Sequence, residues 1–296
     1  MTSAAIETPS GKGASGENFQ VGSVLLAARL RPHVMAFYRF VRAADDIADN
    51  PDLAAEDKLR RLDLFERALA GGAAPGEDFA KARALRTSLA ETGVTDRHAR
   101  DLLQAFRKDA IKRRYADFDD LLGYCRLSAS PVGRFLLDLH GEDRALWRFS
   151  DPLCDALQVL NHVQDCQADY RNLDRVYLPL DAFAAAGVAV EALDRPAADP
   201  GLRRMLDDTL ERTGDLLERA AGLPGALVSA RLAAESAVVQ EMARHLLRRL
   251  RRQDPLARRV ELGRLVFAGV AAVGLLKSLW LRRRSGRSDA SSPATP

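Results

Sequence analysis

Strand-like alternation is absent from this chain of 296 residues, which excludes a sheet-based fold; no uncharged apolar run reaches the length that crosses a bilayer. Cysteine is scarce. Cys125, Cys154 and Cys166 are odd in number and widely spaced, which predicts reduced thiols rather than a disulfide framework, and no zinc-ligand spacing occurs. The five histidines, His33, His98, His140, His162 and His245, are scattered, and none follows a glutamate by three residues as in di-iron helical bundles. Aromatics make up only 6% of the chain, and basic residues are not interleaved with them, so nucleic acid is not an expected partner. Gly11, Gly13 and Gly16 spell G-x-G-x-x-G, but no strand precedes them and no βαβ unit surrounds them, so the dinucleotide reading fails and no nicotinamide is expected.

What is present fits one large helical domain. Hydrophobic residues make up 47% of the chain, enough for a sizeable core, and neither a Ser/Gly-rich linker nor a repeat divides it. Pro32 opens a helical segment closed by Asn50-Pro51. Leu59, Leu62, Phe65 and Leu69 recur at helical spacing before Gly71-Gly72, and Thr95 precedes a run reaching about Arg114. Further helices are expected over about Phe118 to Leu127, Val132 to His140, Ala145 to Arg171, Leu202 to Ala221, Ala226 to Arg252 and Ala257 to Arg283. Residues 1–15 lack the basic start and apolar stretch of a secretory signal, which predicts a disordered head and a cytoplasmic protein; residues 285–296 are too polar to order and read as a tail. The domain is expected to span 16–284.

Two acidic motifs stand out, Asp45-Asp46-Ile47-Ala48-Asp49 and Gln158-x-x-Asn161-x-x-x-Asp165-x-x-x-Asp169. Residues four apart lie on one helix face, so Asp45 with Asp49 and Asp165 with Asp169 form stacked carboxylate pairs that repel unless a cation bridges them. Chance supplies about six acid-x-x-x-acid pairs in a chain with 41 acidic residues, so one pair alone carries little weight. The flanks add that weight. Phe37, Tyr38, Phe40 and Val41 precede the first motif and Leu153, Leu157, Val159 and Leu160 the second, so these are not solvated helices. Oxygen ligands select a hard cation, and magnesium is held by one or two carboxylates together with substrate phosphates. The expected ligand is therefore a magnesium-held diphosphate.

The C-terminal end is basic, with Arg248, Arg249, Arg251, Arg252, Arg258, Arg259 and Arg282 to Arg284. The twelve uncharged residues between Arg264 and Lys277 make about 18 Å of helix against roughly 30 Å of hydrocarbon, too short to span. A buried helix with a solvated basic end is the plainer reading; Trp280 beside the arginines makes peripheral contact with anionic lipid its rival.

Together with Glu17-Asn18-Phe19 and Ser23, Asp109 with Tyr115, Tyr124-Cys125 through Pro131-Val132-Gly133 and Arg175-Val176-Tyr177-Leu178-Pro179, the two motifs make the chain resemble the squalene/phytoene synthases over roughly residues 17–280. The resemblance implies an all-α isoprenoid-synthase bundle around a central cavity and a magnesium-dependent carbon–oxygen lyase or transferase acting on a prenyl diphosphate. It implies that Asp45, Asp49, Asp165 and Asp169 bind magnesium and that Arg42 touches diphosphate. Phe19, Ser23, Tyr38, Asp109, Tyr124, Val132, Gly133, Gln158, Asn161 and Gln164 are the implied substrate contacts. The chain departs from the family pattern at Gln164, where an arginine is usual, at Asn18, which replaces a common serine, and over 226–252, which holds no tyrosine. Each departure weakens the grip on anions. That favours holding one diphosphate over two, and the run Asn161-His162-Val163-Gln164-Asp165-Cys166, the opening Glu17-Asn18-Phe19 and the ending Leu173 to Pro179 resemble the branch that ionises one presqualene diphosphate and lets water capture the cation, giving hydroxysqualene. Its pathway partners are the enzyme that makes that diphosphate and the one that removes the hydroxyl. The sister condensation of two prenyl diphosphates is the alternative, and a non-catalytic helical scaffold docking on membranes is a third.

Overall fold

The computed structural model describes residues 25–72, 79–261, 269, 272–274 and 276. Phe19, Ser23, the expected head and tail, and most of the basic helix expected over 257–283 lie outside them. The described residues form α1 (Arg31–Asp49), α2 (Ala55–Leu69), α3 (Ala80–Thr92), α4 (Arg97–Ile111), α5 (Phe118–Ser128), α6 (Ser130–His140) and α7 (Trp147–Leu173). They continue through α8 (Leu180–Ala186), α9 (Pro200–Ala220), α10 (Leu223–Ala226) and α11 (Ala230–Leu250). Among them no strand occurs, and Arg114 and Val176 make an isolated bridge.

Local chemistry sets these limits. Pro32 sits in the first turn of α1, where its missing N–H has no helical partner to lose, and Asn50 is extended because Pro51 disfavours a helical predecessor. Asp117, Asp199 and Ser229 cap α5, α9 and α11 by accepting the N–H of Asp120, Leu202 and Leu232. The helix expected over 226–252 is α11, which starts four residues later than expected, at Ala230. Pro224 and Gly225 confine α10 to four residues, and the Glu142 carboxylate accepts the N–H groups of Val228 (2.9 Å) and Ser229 (2.7 Å), holding an extended joint before α11. The helix expected from Ala257 also does not start there: residues 257–261 are non-helical, and the Asp254 carboxylate accepts the N–H of Leu256 and of Ala198, pinning a turn. Gly269, Ala272–Gly274 and Leu276 are helical. Three helices, α3, α8 and the short α10, have no counterpart in the sequence expectations.

Helix α7 is the axis of the fold. It packs against α5, α6, α9 and α11 and is buried on several faces. Around it, Phe37 of α1 stacks on Phe135 of α6 with ring centroids 3.9 Å apart, and Phe40 stacks on Phe65 of α2 at 4.8 Å. Gly133 lets α6 approach α7 closely: a Cβ there would lie 2.4 Å from Ser150 Oγ and 2.6 Å from Cys154 Sγ.

Candidate active site

The C-terminal end of α7 builds the site. Asp174 takes a left-handed conformation (φ 49°), and the N–H groups of Asp174 and Arg175 turn back onto the carbonyls of Tyr170 and Asp169 (both 3.1 Å). Arg114 holds this turn through the Asp174 carbonyl (2.6 Å) and carboxylate (2.7 Å), while Val176 N–H donates to the Arg113 carbonyl at 2.9 Å. The reversal delivers Arg175 and Tyr177 into the interior, beside the ends of α1 and α4.

There a polar network closes. Arg175 Nη1 donates to Asp49 Oδ1 at 2.5 Å and Nη2 to the Ala48 carbonyl at 3.0 Å, a buried ion pair. Tyr124 and Tyr177 donate their hydroxyls to the two oxygens of Asp109 at 2.7 and 2.8 Å. Burial pushes Asp109 up to about 6, against the lowering pull of Arg175 and the two hydroxyls. Burial likewise raises Tyr124 and Tyr177, so both hydroxyls stay protonated donors. Lys58, also buried, is lowered by desolvation and then by Arg175 and Arg113. His162 stacks on Tyr177 with centroids 3.7 Å apart; its Nε2 lies 3.2 Å from the Gln158 amide nitrogen and its Nδ1 3.9 Å from Asp169 Oδ2. An unbroken chain of contacts thus links Asp49 in the first motif to Asp169 in the second.

The remaining motif carboxylates also have basic neighbours. Arg42 lies 3.4 Å from both Asp45 and Asp46, and Arg259, past α11, lies 3.3 Å from Asp165. The sequence predicts carboxylates that repel until a cation bridges them; in the fold their charge is already partly balanced by Arg42, Arg175 and Arg259. Gln164 is buried and donates its amide to the Val260 carbonyl, so the segment following α11 lies against the second motif. Tyr38 is half-buried on α1, one turn before Arg42, and Asn161 is half-buried on α7.

Below the acidic ends, an apolar cavity of about 170 Å³ runs between α1, α6, α7 and α11. Val132 and Gly133 line it, with Val34, Leu153 and Leu157. Asp45 and Asp165 follow Val34 and Leu157 on the same two helices by eleven and eight residues, about 12–17 Å of axial rise. Charge therefore sits at one end of these helices and hydrocarbon space at the other. Among the described residues no three His, Cys, Asp or Glu side chains converge to hold a metal. The donor set is instead pairs of carboxylates, which fits a hard cation completing its shell from water and substrate oxygens.

Arg175, Tyr177, His162, Lys58 and Arg259 have no role assigned by the sequence. Arg175 and Tyr177 belong to the Arg-Val-Tyr-Leu-Pro stretch, and His162 lies four residues after Gln158 and seven before Asp169, on their stripe. Lys58 and Arg259 carry no such signal.

Paired aspartates above an apolar cavity inside an all-α bundle define the isoprenoid-synthase class of fold. The comparisons narrow it. The squalene/phytoene synthase profile matches residues 13–266, so the chain belongs to that enzyme family. It is 46% identical to a hydroxysqualene synthase of Rhodopseudomonas palustris over 294 residues, 99% of each chain, and 43% identical to one of Zymomonas mobilis over 91% of each. The crystal structure of squalene synthase HpnC from Alicyclobacillus acidocaldarius superposes with a TM-score of 0.70 at 33% identity, covering 81% of this chain and 90% of that one.

Proposed function

We propose that this protein converts presqualene diphosphate and water to hydroxysqualene and diphosphate. The observation that carries this reading is the 46% identity to the Rhodopseudomonas hydroxysqualene synthase, which runs over 99% of both chains and so includes both acidic motifs and the cavity helices. Phytoene synthases, by contrast, match at 30% identity over 90% of the chain.

The geometry suits the chemistry. Breaking the carbon–oxygen bond puts negative charge on the leaving diphosphate and positive charge on carbon, and the two ends of this site differ in the matching way. Magnesium at Asp45, Asp49, Asp165 and Asp169 would neutralise the leaving charge. Arg42, beside Asp45, would donate to the diphosphate, and the aliphatic walls would keep bulk water from the cation. Asp109, with Tyr124 and Tyr177, fixes Arg175, which in turn orients Asp49. One water completes the reaction: its oxygen bonds to the cation, it loses a proton, and no reductant is consumed. The product is water-insoluble, so release toward anionic lipid through the basic C-terminal residues is part of the same proposal.

The test is incubation of the protein with presqualene diphosphate and magnesium in oxygen-labelled water, followed by product analysis. Labelled hydroxysqualene without added nicotinamide is expected. Squalene formed only with reduced nicotinamide, or rapid turnover of farnesyl diphosphate to a cyclopropyl diphosphate, would assign a sister activity instead.

A further inference from the structure

Among the described residues the cavity wall is aliphatic except at Ser150, Cys154, Glu235 and Ser236. Two of these engage each other: Ser150 and Cys154 are one turn apart on α7 and share a hydrogen bond, and burial pushes the Cys154 thiol up to about 12, so it is no base at neutral pH. Glu235 and Ser236 line the cavity from the second turn of α11. Ser236 is buried, yet its hydroxyl has no hydrogen-bond partner among the described residues, not even the carbonyl one turn back that a helical serine commonly uses. An unpartnered buried hydroxyl beside a carboxylate, in a dry wall, is where a single water finds the two or more polar contacts it needs.

We propose that Glu235 and Ser236 hold the water that captures the carbocation, and that the Glu235 carboxylate takes its proton. The proposal rests on the hydroxysqualene reading and adds the nucleophile's position to it. Water oxygen forms the new carbon–oxygen bond, one water O–H bond breaks, and that proton passes to the carboxylate, from which it later leaves with product or solvent. The balance requires a base, because addition of neutral water to a cation leaves a protonated alcohol that reverts unless its proton is taken. Nothing else on the described wall can serve: aliphatic carbons have no lone pair, and the thiol and hydroxyls are neutral. The negative charge also favours the cation electrostatically while Ser236 keeps water, rather than a carbon-bound hydrogen, closest to the carboxylate.

The experiment compares the full-length protein with Glu235→Gln, Glu235→Asp and Ser236→Ala, each given presqualene diphosphate and magnesium in labelled water. Hydroxysqualene formed per diphosphate released is the readout, which separates water capture from ionisation. Glu235→Gln should lower this ratio at least about tenfold, with hydrocarbons formed by proton loss taking the place of the alcohol. Ser236→Ala should lower it less, and Glu235→Asp should restore most of it. An unchanged ratio in Glu235→Gln overturns the proposal; if that variant releases no diphosphate, an unchanged ratio in Ser236→Ala overturns it. If the native protein releases diphosphate but makes no hydroxysqualene, the functional reading itself falls.

Discussion

One helical turn separates Asp45 from Asp49, and burial makes them unequal. Asp45 is half-buried and faces Arg42 at 3.4 Å, whereas Asp49 is buried against Arg175 at 2.5 Å. Exposed pairs contribute about 0–1 kcal/mol, but removing one partner of a buried pair strands the other charge and costs about 3–5 kcal/mol. Asp45→Asn and Asp49→Asn should therefore both lower turnover at least about a hundredfold, as for loss of a comparable electrostatic stabiliser. Only Asp49→Asn should shift the denaturation midpoint strongly. Equal stability of the two variants would show that the Arg175 pair does not hold in solution.

At the scale of elements, the α6–α7 contact turns on Gly133. Alanine in place of a helical glycine ordinarily stabilises by about 0.5–1 kcal/mol through backbone entropy. Gly123 in α5 meets no neighbouring segment of the described residues within 4 Å of where a methyl group would stand, so Gly123→Ala should show that gain. At Gly133 the methyl would meet Ser150 Oγ at 2.4 Å and Cys154 Sγ at 2.6 Å, forcing the helices apart or both side chains out of place. Overpacking of this kind costs about 1–3 kcal/mol, so Gly133→Ala should have the opposite sign. Urea denaturation of the two variants reads it directly, and a stabilised Gly133→Ala would mean that the two helices pack more loosely than this. The same contact borders the cavity, which ties packing at this point to the cavity's volume.

For the whole molecule, the site joins segments far apart in the chain: α1 supplies Asp45 and Asp49, α4 Asp109, α7 Asp165 and Asp169, and the segment beyond α11 Arg259 and Val260. A ligand held between them binds the folded chain alone. Magnesium with inorganic diphosphate, at a hundred times the dissociation constant, should add about 2.7 kcal/mol to unfolding, a rise of several degrees in Tm. Chelator should abolish the rise. An unchanged Tm with both present would count against the acidic motifs as a metal–diphosphate site.

The sequence alone determined most of the helices, though not α3, α8 or α10, and the spacing within each motif, because both are local: periodicity, proline, glycine and caps act over a few residues, and Asp45 stacks on Asp49 wherever a helix forms. Legibility ended where distant segments meet. The split between α10 and α11 depends on Glu142, more than eighty residues away in the chain, and Gln164 reads in the sequence as a weakened anion contact although its amide meets the Val260 carbonyl. Only tertiary structure decided that Arg175 neutralises Asp49, that Tyr124 and Tyr177 share Asp109, and that Glu235 and Ser236 face a largely aliphatic cavity. Side-chain charges and hydroxyls are legible as types in a sequence, but what each one meets is settled by long-range packing, and burial then determines its energy.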